Sequence, residues 1–254
     1  MRRGTDLRLS TLILPRALGP PLRGRIRDAC GAVVKRVFDA SVSAVLLALA
    51  APLILVLAVA VKLDSRGPAF FRCRRVGIGG REFAMLKFRK MHDGARGPAL
   101  TAAHDSRFTR IGRFLARTKL DEVPQLWNVL RGDMSLVGPR PEDPSLMRLR
   151  REEFKPILRV RPGVTGLTQL AFARESELLD AEDRTDQYIS QILPQKLEID
   201  RLYVERRSFL LDLRILVWTA AAVILRREVT VDPETGRLSA RRQPSPQLLP
   251  APRD

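Results

Sequence analysis

Asp121 and Glu122 stand side by side, with Pro124 two positions further on, in the run RTKLDEVPQLWNVLRGDMSLVGPRPE from Arg117 to Glu142. Adjacent carboxylates can act as a nucleophile, relay a proton or hold a hard divalent cation. Val123, Leu126, Trp127 and Leu130 follow at helical spacing, and proline is tolerated only in a helix's first turn. The spacing therefore predicts a helix with the acidic pair at its N-terminus, where the dipole and unpaired N–H groups favour anions and can hold a phosphate. Arg117 and Arg140 flank the pair with planar, forked donors suited to phosphate oxygens. Together these residue types point to phosphoryl chemistry assisted by a divalent metal. With only oxygen ligands on offer, Mg²⁺ is the expected ion. For an isolated pair the simpler account is helix capping.

Several elements must bring the rest of the chain to this pair. Ala69 to Met91 alternates apolar and basic residues about a Gly77 to Gly80 turn, which predicts a β-hairpin. The VGIGG turn lacks the lysine and hydroxyl of a phosphate-binding P-loop, so it reads as a turn. Lys87, Arg89 and Lys90 face either an anionic substrate or solvent. Asp105 to Arg117 predicts an amphipathic helix that delivers Arg117, and a basic helix is expected from about Ser145 to Phe154. In the RPGVTG loop Arg161 either touches phosphate or caps a helix end. A helical run from about Asp180 to Arg207 carries Asp200 and Tyr203, the latter best read as a core residue.

Lysine and arginine number 45 against 28 acidic residues, a formal charge of +17, which implies an anionic partner such as nucleic acid or phospholipid headgroups. Cys30 and Cys73 are too few for a disulfide framework, and two histidines make a zinc site improbable. Ala40 to Val61 gives 22 residues without a charge, enough to span a bilayer, yet Pro52 interrupts them. Lys35 and Arg36 precede this segment and Lys62 and Arg66 follow it, so both ends ask to be cytoplasmic. A helix broken at Pro52, re-entering one leaflet, satisfies both. The organisation expected is a basic disordered arm over 1–34, the membrane helix over 35–64, a catalytic domain over 65–227 and a disordered tail over 228–254. No signal peptide is indicated at the basic N-terminus. The fold class is α+β, with Phe209 to Leu225 an interfacial or core-packed helix.

LDEVPQLWNVLRGDMSLVGPRPE, then RPGVTGLTQ at Arg161 to Gln169, resembles the bacterial sugar transferase family of monotopic polyprenyl-phosphate phosphoglycosyl transferases. KRVFD at Lys35 to Asp39 and LEIDRLYVERRSFLLDLRIL at Leu197 to Leu216 resemble its other landmarks in order, over roughly 33 to 227. The resemblance implies transfer of a sugar 1-phosphate from a UDP-sugar to polyprenyl phosphate at the cytoplasmic face of the inner membrane. Asp121 would be the nucleophile, forming an aspartyl phosphosugar as the nucleoside monophosphate leaves, and Glu122 would assist the acceptor. Arg117, Arg140, Arg161 and Lys87 would hold phosphates, Asp200 matches an acidic landmark, and Asp121 and Glu122 would hold Mg²⁺. Anionic lipid is the further partner, nucleic acid is not, and a homodimer stays open. LTQLAFARESELL departs from many relatives after Gln169, so the sugar is not specified. The rival readings are a non-enzymatic scaffold of a polysaccharide assembly complex and a basic nucleic-acid-binding protein, but neither a helix-turn-helix nor an RNA-recognition motif is present.

Overall fold

Alternation of side chains over two seven-residue stretches makes β1 (Phe70–Val76) and β2 (Glu82–Phe88) an antiparallel hairpin, with Phe70 opposite Phe88 and Val76 opposite Glu82. The connecting 3₁₀ turn, Ile78–Gly80, places Gly79 at φ 66°, a conformation that glycine adopts without strain. The computed structural model describes residues 22–97, 105–173, 184–225, 229–232 and 235–240. The chain divides into two compact units, 1–35 and 36–254. In the first, the described part is the opening of helix α1 (Leu22–Asp64). All the chemistry predicted from the sequence falls in the second.

α1 is 43 residues long with Pro52 inside it, and Gly31–Asp64 is long and apolar enough to cross a membrane. Its start corrects the expected arm. Pro15, Pro20 and Pro21 all precede Leu22, and past them nothing stops a helix, so 22–34 are helical; 1–21 lie outside the described residues. α2 (Arg110–Thr118) begins later than Asp105 because Thr109 takes the cap position and accepts from Gly112 N at 2.9 Å. A 3₁₀ turn, Leu120–Glu122, then feeds α3 (Gln125–Arg131), which Gly132 ends at φ 94°.

β3 (Ser135–Val137) and β4 (Gly163–Thr165) form a parallel pair. Their contact is close: a Cβ on Gly163 would sit 2.1 Å from Gly138 N. The basic helix expected up to Phe154 is split into α4 (Pro144–Leu149) and α5 (Arg151–Phe154), because Arg150 leaves helical geometry at φ −130°, ψ 42°. α6 (Leu167–Ala171) follows. Residues 184–206 are helical, through a wide π turn at Tyr188–Ile192, into α7 (Leu193–Arg206), and α8 spans Phe209–Leu225. The expected disordered tail is corrected too. β5 (Val229–Val231) and β6 (Leu238–Ala240) pair antiparallel, and Val229 and Val231 are buried in the core; 241–254 lie outside the described residues.

The main core joins β2, α3, β3, α6, α7, α8 and β5 through residues such as Met85, Val129, Leu136, Leu167, Ile199, Ile215 and Val231. A second cluster packs Phe154 and Ile157 on Tyr188, Ile192 and Leu197. A third sets Leu57 and Val61 of α1 against Phe88 and Leu115. The result is a mixed helix and strand fold.

Candidate active site

The acidic pair occupies the 3₁₀ turn ahead of α3, so the expected helix end is reached through one tighter turn. Lys119 enters that turn in the left-handed region, at φ 60°. Asp121 is 3% exposed, and burying a carboxylate demands cations or donors close by. Lys87 Nζ donates to Glu122 Oε1 at 2.8 Å, and Arg140 Nη2 donates to the same oxygen at 2.9 Å. Lys90 Nζ lies 3.6 Å from Asp121 Oδ2 and over the Phe108 ring. Burial pushes the Glu122 carboxyl up, but Arg140 and then Lys87 overcome this and hold it well below the usual carboxylate range. Glu122 is therefore an anion across the physiological range.

Lys87 sits inside β2 and Lys90 just past its end at Phe88, where strict alternation no longer applies. That is how both reach the carboxylates while Arg89, between them, turns away. Arg89 donates to the carbonyls of Ser65 at 2.7 Å and Val61 at 3.3 Å, tying the hairpin to the C-terminal end of α1.

Of the residues expected at the site, Asp121, Glu122, Lys87 and Arg140 are brought together. Arg117 is exposed on the last turn of α2 and bonds to neither carboxylate. Arg161 Nε donates to Gly132 O at 3.0 Å, at the end of α3, a contact of the capping kind. Asp200 is buried and accepts from Thr168 Oγ1. Burial raises its pKa to about 7 against the opposing pull of Thr168 and Lys196, so it lies beside the cluster as a carboxyl half-protonated near neutrality. Tyr203 is a core residue, donating to Asp212 Oδ1 at 2.7 Å.

A second polar group next to the site was not foreseen. Tyr188 donates to Glu142 Oε1 at 2.8 Å, and Lys196 Nζ donates to Tyr188 Oη at 2.9 Å while standing 3.5 Å from Glu142. Glu142 closes the PRPE run two residues after Arg140, but its partners lie about fifty residues on, so no local pattern announces them. Gln125 Nε2, in the first turn of α3, is buried without a protein partner, a donor available to a ligand oxygen or water.

Among the described residues no group of three or more histidine, cysteine or acidic side chains forms a cage. Mg²⁺ does not require one, because it binds through one or two carboxylates and completes its shell with water and substrate phosphate. Both cations on Glu122 use Oε1, which leaves Oε2 and the Asp121 carboxylate as oxygens to offer. Those oxygens fit the one or two carboxylates that a hard divalent ion takes from a protein.

Comparison with known proteins follows the same lines. The description "Bacterial sugar transferase" matches residues 30–226. The chain is 40% identical over 224 residues to a UDP-glucose:undecaprenyl-phosphate glucose-1-phosphate transferase of Caulobacter vibrioides, covering 86% of this chain and 79% of that protein. It is 40% identical over 205 residues to an undecaprenyl-phosphate glucose phosphotransferase of Komagataeibacter xylinus, covering 76% of this chain and only 36% of the relative. An Aeromonas hydrophila UDP-N-acetylgalactosamine-undecaprenyl-phosphate N-acetylgalactosaminephosphotransferase is 36% identical over 198 residues, covering 76% of this chain and 44% of its own. Two of these three relatives are thus more than twice as long as the segment that matches.

Proposed function

The chain belongs to the bacterial sugar transferase family, and on that premise we propose that it transfers a sugar 1-phosphate from a UDP-sugar to polyprenyl phosphate, yielding polyprenyl-diphosphate-sugar and UMP. This is the first membrane step of exopolysaccharide, capsule, O-antigen or glycoconjugate synthesis. The observation that carries the reading is the pair of buried Asp121 and half-buried Glu122 faced by Lys90 at 3.6 Å, Lys87 at 2.8 Å and Arg140 at 2.9 Å. Such a site can present an anionic nucleophile to a pyrophosphate without being repelled by it.

In the first half-reaction an Asp121 carboxylate oxygen attacks the β-phosphorus. The bond from that phosphorus to the bridging oxygen breaks, and UMP departs with the electron pair. In the second, an oxygen of polyprenyl phosphate attacks the same phosphorus and displaces the Asp121 carboxylate, forming the new diphosphate linkage. Lys87 and Arg140, released from Glu122 Oε1, take phosphate oxygens, and Lys90 holds Asp121 until it reacts. Arg117, unengaged among the described residues, is the guanidinium free to close over the leaving phosphate; Arg161 holds Gly132 O through its Nε. Mg²⁺ bound by Asp121 and Glu122 would neutralise pyrophosphate charge. Two relatives with different sugars in their names leave the sugar to experiment, by UMP release from a panel of UDP-sugars with polyprenyl phosphate.

The enzyme acts at the inner membrane with its catalytic unit on the cytoplasmic face, and α1, helical throughout with Pro52 inside it, enters and leaves one leaflet. Three hydrogen bonds at the two ends of α1 support this. Near its N-terminal end within the catalytic unit, α1 binds α3 and β3: Arg36 donates to Val129 O at 2.6 Å, and Ser135 Oγ donates to Asp39 at 2.7 Å. At its C-terminal end, Asp64 accepts from Ile111 N at 2.9 Å. A spanning helix would carry those ends to opposite faces, whereas here both are tied to one catalytic body. Lys62, Arg66 and Arg72 beside the apolar segment suit anionic headgroups.

A further inference from the structure

Lys87 and Lys90 both reach the acidic pair, although residues three apart on a strand point to opposite faces. If β2 continued past Phe88 it would set residues 87 and 89 on one side and residue 90 on the other. Arg89 would then be the cation beside Lys87. The two side chains carry equal charge, so attraction to Asp121 and Glu122 alone does not choose between them. Something outside the site must hold Arg89 away.

That hold is the C-terminal end of α1, where a helix leaves carbonyls open and carries partial negative charge. The buried Arg89 guanidinium donates to Val61 O in the last turn at 3.3 Å, and just past the helix to Ser65 O at 2.7 Å and to Arg66 O. Gly67, next in the chain at φ 116°, makes room for it, since a Cβ there would run into Arg89 Nη1. On the other side of Arg89 the main chain is fixed by α2. Lys90 O accepts from Thr109 N at 3.1 Å, and Gly112 lies so close to that carbonyl that no side chain fits between them. α2 is itself tied to α1, where Asp64 accepts from Ile111 N at 2.9 Å. Lys90 therefore leaves a backbone held on both sides, with its Nζ 3.6 Å from Asp121 Oδ2.

We infer that Arg89 is a positioning residue: anchored to the end of α1, it turns the chain after β2 so that Lys90 meets Asp121. The seat of the membrane helix is thereby felt at the proposed nucleophile. Displacing the end of α1 withdraws Lys90 from the site, while Lys87 and Arg140 stay bound to Glu122.

The test uses the full-length protein in lipid nanodiscs, with acetylation of lysines by sulfo-N-hydroxysuccinimide acetate read residue by residue in a mass spectrometer. Arg89→Gln removes the anchor, so acetylation of Lys90 should quicken at least fivefold and that of Lys87 less than twofold. Gly67→Ala crowds the guanidinium without removing its charge and should quicken Lys90 at least threefold; if Arg89→Gln does not fold, this variant decides. Unchanged Lys90 reactivity overturns the inference. So does equal quickening of both lysines, which would mark a general loosening of the site. A second arm measures how fast a sugar-phosphate adduct forms on Asp121 from UDP-sugar alone. Lys90→Met should slow this at least tenfold in the otherwise unaltered protein but less than twofold beside Arg89→Gln, whereas Arg140→Lys should cost the same factor in both backgrounds. A Lys90→Met cost that persists in both backgrounds overturns the inference, as does an Arg140→Lys cost that shrinks with it. Only this second arm rests on the transferase reading: if Arg89→Gln frees Lys90 but the wild type forms no adduct, that reading falls and the anchor stands.

Discussion

Glu122 Oε1 receives two cations, whereas Asp121 is approached by one at longer range, and this difference separates what each mutation should do. Asp121→Asn keeps shape and loses the proposed nucleophile, so UMP release should fall by about 10³-fold or more while the thermal midpoint changes little. The adduct with the mass of a sugar phosphate should vanish with it; an Asp121→Asn enzyme at full speed would end the mechanism. Glu122→Gln leaves Lys87 and Arg140 facing each other without an anion, so it should cost activity and also stability, on the order of 3 kcal/mol, read by denaturation in detergent. Arg140→Lys keeps the charge and loses the fork, and a substantial loss of rate is expected. Asp200 supplies a pH dependence. Its folded pKa, raised to about 7 by burial, exceeds that of the unfolded chain, so the folded state holds the proton longer. The associated stability is fully present below the unfolded pKa, near 4, and is lost as pH rises to about 7. Asp200→Asn should remove that fall, so the melting difference between variant and wild type should shift in the variant's favour from pH 5 to pH 8; an unchanged difference would show that Asp200 stays ionised.

At the scale of elements, α3 depends on arginines that arrive from far away in the chain. Arg36 binds Val129 O and Leu130 O at 2.6 and 2.7 Å, and Arg161 binds Gly132 O at 3.0 Å, satisfying carbonyls that a helix end leaves open. Arg36→Met keeps the apolar stem and strips the donors, which should cost about 1–3 kcal/mol in thermal or denaturant unfolding, with Arg36→Lys recovering part. No loss in Arg36→Met would mean that water replaces the guanidinium. This long-range clamp also marks the border of what the sequence can convey. The β1–β2 hairpin and α8 were legible because their periodicity and turn residues are local, and α8 runs over the expected Phe209–Leu225. The acidic pair and Arg140 were legible because they share one motif. By contrast, β3 and β4 are three residues each and exist only through pairing across 28 positions, as Ser135 with Gly163. β5 did carry a Val-Thr-Val alternation, hidden by proline-rich surroundings. Lys90's approach to Asp121 depends on the strand ending at Phe88, a boundary that sequence periodicity places only loosely.

For the molecule as a whole, the decisive property is that so much apolar surface is exposed on α1 and α8. Val45, Leu49, Leu55 and Val56 are more than half exposed on α1, as are Leu210, Val217 and Ile224 on α8, and Phe38 of α1 meets Phe209 edge-on at 5.1 Å where the two helices begin to share a surface. Water would penalise that surface by about 25 cal/mol per Å², a cost that the proposed membrane attachment would remove by covering it with lipid. How lipid covers α1 is testable with single cysteines in a chain freed of Cys30 and Cys73. Val34→Cys lies before the apolar segment and Arg81→Cys after it, in the exposed hairpin turn. Arg36, Asp39 and Asp64 are all bonded to the catalytic unit, so both cysteines should share its compartment. A membrane-impermeant maleimide should label neither in intact spheroplasts and both in inverted vesicles. Labelling of Val34→Cys from outside would reject the re-entrant helix while leaving the chemistry of Asp121 standing. Pro52→Leu restores the N–H that proline lacks and favours a straight, spanning helix. It should expose Val34→Cys to the outside in a fraction of molecules and lower activity by the same fraction, because a helix drawn across the bilayer must give up the contacts of Arg36 and Asp39 with α3 and β3.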